Sequence, residues 1–161
     1  MAWERSLRLG VTAVALVVLA RCDTADLQRD FVDAAEAPPG GFTRTDQNGG
    51  VVDADEDDWR TSPIYVGRIT VEPAYPNPVT SGLVTIPFRI LQFDEVSRGV
   101  YVRAFDADGS LIPLGETVDT SGPGLYTVTI NPVQLGTAEL HRVFLMDAFG
   151  ELISYGDIDV R

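Results

Sequence analysis

From Pro63 onward the chain is built of short apolar runs separated by turn formers, and this pattern limits its folds more than any other feature. A helical domain would need apolar residues recurring at about 3.6 positions, and no comparable stretch here shows that period. Val84, Ile86, Phe88 and Ile90 alternate with Thr85 and Arg89, the period of two expected for a half-buried strand. Pro87 has no N–H to give to a ladder, so this strand is expected at an edge or a bulge. Val100, Val102 and Ala104 alternate next, and Asp106-Ala107-Asp108-Gly109 reads as a hairpin turn into 111–114. Tyr126, Val128 and Ile130 alternate with two threonines, and 142–148 turns at Phe149-Gly150 into 152–160. The spacing predicts an all-β domain of about 7 strands over residues 63–161.

Turn signals at roughly 8–12-residue intervals fit an immunoglobulin-like or fibronectin-III-like β-sandwich. Residues 119–128 resemble the tyrosine corner of immunoglobulin-type domains, with Tyr126 as its tyrosine. Val128 stands where those domains place a cysteine, so apolar packing alone must hold the sheets together. A domain near 100 residues can manage this without staples.

Residues 1–21 read as a signal peptide. Arg5 and Arg8 precede an unbroken apolar run over 9–20, which as a helix spans about 18 Å against roughly 30 Å of hydrocarbon. The single cysteine follows at once. Leu19-Ala20-Arg21-Cys22 resembles the bacterial lipobox, which implies a diacylated Cys22 as the mature N-terminus and a membrane surface as partner. Val18-x-Ala20 also fits ordinary cleavage after Ala20, and the apolar run does not separate the two readings.

Residues 22–62 hold 11 acids and 3 arginines and read as an acidic linker. Leu27, Phe31 and Ala34 or Ala35 recur at helical spacing until Pro38-Pro39-Gly40-Gly41 ends the pattern, so a short helix is expected. The remainder is expected to be an extended tether with local order around Phe42 and Trp59. Asp46, Asn48 and Asp57 are weak calcium candidates in an EF-hand-type loop. Val51 stands where that loop needs Gly, and Gly50 where it needs a ligand. A solvated acidic stretch is the expectation, with no metal or cofactor.

Tyr75-Pro76-Asn77-Pro78 is the most distinctive motif. Two prolines fix φ and push Tyr75 and Asn77 toward extended geometry, giving a stiff corner. This motif precedes a V-x-V-x-x-x-D-x-x-G-x-L hairpin (Val100 to Leu111) and then a Gly-x-Tyr strand. That order resembles the C-terminal sorting domains of type IX-secreted bacterial proteins. The resemblance covers residues 72–161 and implies an immunoglobulin-like sandwich and a secretion-machinery partner.

A net charge of −12 speaks against nucleic acid as partner, because phosphate binding needs a basic footprint. His141 is the sole imidazole, and no nucleophile–base pattern, GxSxG or phosphate loop surrounds it. A non-catalytic role is expected: an exported, lipid-anchored envelope or surface protein whose sandwich is an interaction or structural module. A secretion-targeting domain is the second reading. A carbohydrate-binding sandwich is the third; it predicts exposed aromatics on one sheet face, for which Tyr101, Phe105 and Tyr155 are the candidates, although a buried central strand explains Tyr101 and Phe105 as well.

Overall fold

Alternating strands bury one face each, and here two antiparallel sheets close on those faces. The computed structural model describes residues 24–161 except 94, 95, 97, 107 and 137. The described residues open in a helix, α1 (described over 24–36), followed by a small hairpin, β1 (Arg44–Thr45) and β2 (Val51–Asp53). The sandwich follows as β3 (Ile69–Val71), β4 (Val84–Ile90), β5 (Val100–Phe105), β6 (Leu111–Val118), β7 (Gly124–Ile130), β8 (Leu140–Asp147) and β9 (Leu152–Asp159). One sheet has the order β3-β4-β7, and the other β6-β5-β8-β9. Ile69, Ile86, Phe88 and Val128 from the first meet Val102, Leu114, Leu145 and Ile158 from the second in a single buried core. The seven strands and the all-β sandwich agree with the sequence reading.

Pro87 differs from its expected placement, because β4 is the middle strand of its sheet. The physical reason lies in where β3 stops. Pro87 accepts from the Glu72 N–H at 2.9 Å, so its missing donor faces the same side, just past the end of β3. At that one position the central strand is locally an edge.

The two-proline corner also joins the elements. Both Tyr75-Pro76 and Asn77-Pro78 are cis. Tyr75 exchanges two backbone hydrogen bonds with Thr85 on β4, and Val79 then pairs in parallel with Val160 just beyond β9. The corner therefore carries the chain from one sheet to the edge of the other.

The expected short helix is present as α1, but the residues that follow it up to 62 are not an extended tether: together with α1 they form a strap folded onto the sandwich. The outer face of the four-stranded sheet is apolar, and α1 covers it with Phe31 and Ala35 against Phe144 and Tyr155. The rings of Phe31 and Tyr155 lie 5.2 Å apart, and Arg60 sits over the far ring. Residues 59–62 then run along the free edge of β9. Trp59 donates to the Tyr155 carbonyl at 2.7 Å, and Ser62 to that of Ile153 at 2.8 Å. An open strand edge is thereby paired within the chain.

Three hairpin loops share one design. Asp46, Asp106 and Asp147 each accept, at one carboxylate oxygen, the N–H groups of the residues two and four positions on. The fourth residue of each loop is a glycine with positive φ: Gly49, Gly109 and Gly150. Three of the 16 aspartates thus serve local turn geometry.

Trp59 is buried against the backbone of Gly156, where a Cβ would overlap the indole. Gly156→Ala is expected to cost about 1–3 kcal/mol of stability by overpacking. A lowered urea midpoint, read by Trp59 fluorescence, checks this.

Candidate functional site

The polar residues that the sequence left unexplained converge where the strap meets β9. Asn77 is fully buried at the end of the proline corner. Its side-chain Nδ2 donates to the carbonyls of Thr43 at 3.0 Å and Asp157 at 2.8 Å, and its Oδ1 accepts from the Asp159 N–H at 2.9 Å. Its backbone carbonyl accepts from Thr45 at 2.8 Å. One amide thereby ties the β1–β2 hairpin to the last strand, and the Tyr75 ring lies against Gly49 in the hairpin loop. Prolines on either side hold Asn77 in place, which gives the motif a physical role.

Asp58 makes the second connection. One carboxylate oxygen accepts from the Thr43 N–H at 2.6 Å, the other from the Asp157 N–H at 3.0 Å. Burial raises its pKa to about 7, against the two N–H bonds that favour the charge, and neighbouring Asp157 adds to the rise. Asp157 itself is paired bidentately with Arg142, both bonds at 2.7 Å. The remaining guanidinium nitrogen donates to the carbonyls of Ala34 at 2.8 Å and Ala37 at 2.9 Å, capping the C-terminal end of α1. Hydrogen bonding to Asp157 raises the Arg142 pKa above its ordinary value. The guanidinium also lies 4.8 Å from the centre of the Tyr155 ring.

These groups are committed to one another and to backbone, so the cluster is a latch between the first and last parts of the chain. The sequence reading missed Asp58, Arg142 and Asp157. A signal was present in β8 and β9, where apolar residues fall on both strand faces (Val143-Phe144-Leu145 and Leu152-Ile153). Strands patterned in that way are covered on both sides.

The other expected site residues lie apart. Asp46 and Asn48 belong to the first hairpin loop, with the Asp46 carboxylate engaged by backbone. Asp57 accompanies Asp55, whose hydrogen bond raises the Asp57 pKa. Among the described residues no group of three or more His, Cys, Asp or Glu side chains is arranged to hold a metal ion. The Tyr126 hydroxyl donates to the Gly122 carbonyl at 2.7 Å, as a tyrosine corner would, but from β7 in the three-stranded sheet, with its ring stacked on Phe88. Of the three aromatics considered for carbohydrate, Tyr155 is fully buried beneath α1, Tyr101 is half-buried with Arg103 over its ring, and Phe105 is exposed while packing edge-on against Phe144. His141 is buried in β8 with Glu139 nearby. An open depression of about 500 Å³ lies beside the hairpin, lined by Gly41, Phe42, Arg44, Asp53, Asp55 and Glu56. Cys22 and the apolar run before it lie outside the described residues.

No family profile, curated protein or solved structure matches the chain.

Asn77→Ala leaves two carbonyls and an N–H without their partner, and is expected to cost about 3 kcal/mol in urea unfolding. The latch also has a pH dependence. The Asp58 carboxyl ionises at about 7 in the fold and at 3.8 when unperturbed. Between these values the unfolded chain has released the proton and the native chain retains it, so stability falls as pH rises through that window and levels off above it. Urea midpoints at several pH values across the window are expected to decline in the parent. In Asp58→Asn that decline should be flattened.

Proposed function

We propose that this chain is an exported, lipid-anchored cell-envelope protein whose immunoglobulin-like sandwich is a non-catalytic interaction or structural module. The observation that carries this reading is the junction at residue 22. A short apolar run ends at Ala20, the single cysteine follows after Arg21, and residue 24 already belongs to a helix built onto the sandwich. A diacylglycerol on the Cys22 sulfur would hold the fold to a membrane surface. The commitment of Asn77, Asp58, Asp157 and Arg142 to internal contacts supports a module without chemistry of its own. The net charge of −12 favours partners other than nucleic acid.

The type IX-like sorting domain is the second reading, favoured by the motif at Tyr75–Pro78 and the sandwich that follows it. Against it, α1 and the β1–β2 hairpin draw their partners from β8, β9 and the corner. Cleavage ahead of the sandwich would remove the surfaces on which they fold.

The intact mass of the protein from the membrane fraction of its source cell tests both readings. A diacylated Cys22 with Arg161 retained is the expected result. Loss of the region after about residue 70 would instead establish a removable sorting domain. Cys22→Ala is expected to move the protein from the membrane to the soluble fraction after cell breakage.

A further inference from the structure

The two ends of the sandwich differ in their distance from Cys22, and this decides which end can meet a membrane. In the second turn of α1, Gln28 accepts from the Ser62 hydroxyl at 2.8 Å, and Ser62 is bonded to Ile153 near the start of β9. The last turn of α1 is held by Arg142 opposite Asp157, toward the far end of the same strand. The helix therefore starts at the end of the sandwich that carries the β8–β9 loop. Cys22 precedes its first residue by two positions, at most about 7 Å of chain.

That end bears exposed apolar side chains on separate loops. Phe149 at the tip of the β8–β9 loop is 68% exposed, Phe93 between β4 and β5 is 74%, and Val66 ahead of β3 is 69%. Leu27, in the first turns of α1, is 57% exposed. The loops are fixed to one another. The Tyr65 hydroxyl donates to Asp147 at 2.8 Å, Leu91 to the Arg68 carbonyl at 2.8 Å, and the Thr120 hydroxyl to the Val96 carbonyl. Arg98 lies over the Phe149 ring at 5.6 Å, a basic group beside an aromatic one. Exposed Glu151 and Asp119 stand at this end too, so contact with a bilayer would be apolar rather than electrostatic.

We infer that this end, with Phe93, Phe149, Val66 and Leu27 at its tip, rests in the interface of the bilayer that holds Cys22, and that the sandwich stands end-on to the membrane. This rests on the lipid-anchor reading, and the experiment separates the two. Full-length Phe149→Trp and, at the opposite end, Val133→Trp are expressed in a bacterial host with lipoprotein processing. Intact mass reports whether Cys22 carries a diacylglycerol. Where it does not, the anchor reading fails, and a phospholipid is coupled to the single thiol instead. Both anchored proteins are placed in phosphatidylcholine vesicles containing brominated lipid, and the parent's tryptophan signal is subtracted. Val133 is 79% exposed and Phe149 68%, so neither substitution enters the core; matched thermal midpoints confirm the fold. Severalfold stronger quenching at 149 than at 133 is expected. Equal quenching, stronger quenching at 133, or none at either position overturns the end-on placement, whatever the mass shows.

Discussion

The guanidinium of Arg142 holds the parts of this protein in register. It lies on the outer face of β8, buried between a sheet and a helix, and its contacts reach both β9 and α1. Two nitrogens grip Asp157 on β9, the third caps α1, and its flat face rests on Tyr155. A buried ion pair is poor evidence of net stability, since desolvating both charges offsets most of their attraction. Geometry is what it specifies. An apolar residue here would let α1 slide over the sheet, whereas carbonyls at Ala34 and Ala37 accept from the arginine only when the helix ends in one place.

Asn77 acts in the same way at the strap's other end. Both residues are polar groups with nearly full hydrogen-bonding complements, placed where apolar surfaces alone would leave alternatives. The apolar contacts of α1 are few, and Phe31 supplies the main one. A small contact of this kind gains its definition from directed bonds.

The division between what could be read in the chain and what could not follows from this. Strands β4, β5 and β7 announce themselves because one face meets the core, so Val84, Ile86 and Phe88 repeat with period two. The hairpins at Asp106 and Asp147 are visible because Gly must stand at the fourth place. Within residues 24–62 such signals are confined to the helical spacing of Leu27, Phe31 and Ala34 or Ala35 and to the Asp46–Gly49 loop. The buried members of this stretch are mostly single residues among acids and turn formers: Phe31, Asp58, Trp59 and Ser62 are explained by partners in β8 or β9, and Thr43 by Asp58 and Asn77. Asp58 inside a run of acids looks solvated, and only its neighbour Asp157 shows otherwise. The Tyr75–Pro78 motif was conspicuous, but stiffness is a local property, whereas the role of Asn77 is set by what the corner faces.

The latch also fixes an order of events during synthesis. Arg142 and Ala34 are 108 residues apart, Asp58 and Asp157 are 99 apart, and Arg60 and Tyr155 are 95 apart. Helix α1 and residues 58–62 therefore meet their partners only once the final strand has left the ribosome, whereas the β1–β2 hairpin can dock earlier on the corner at Ala74 and Asn77. Closing loops of that length makes folding slow to begin. A chain in which α1 waits for β9 cannot complete its fold while it is still being made.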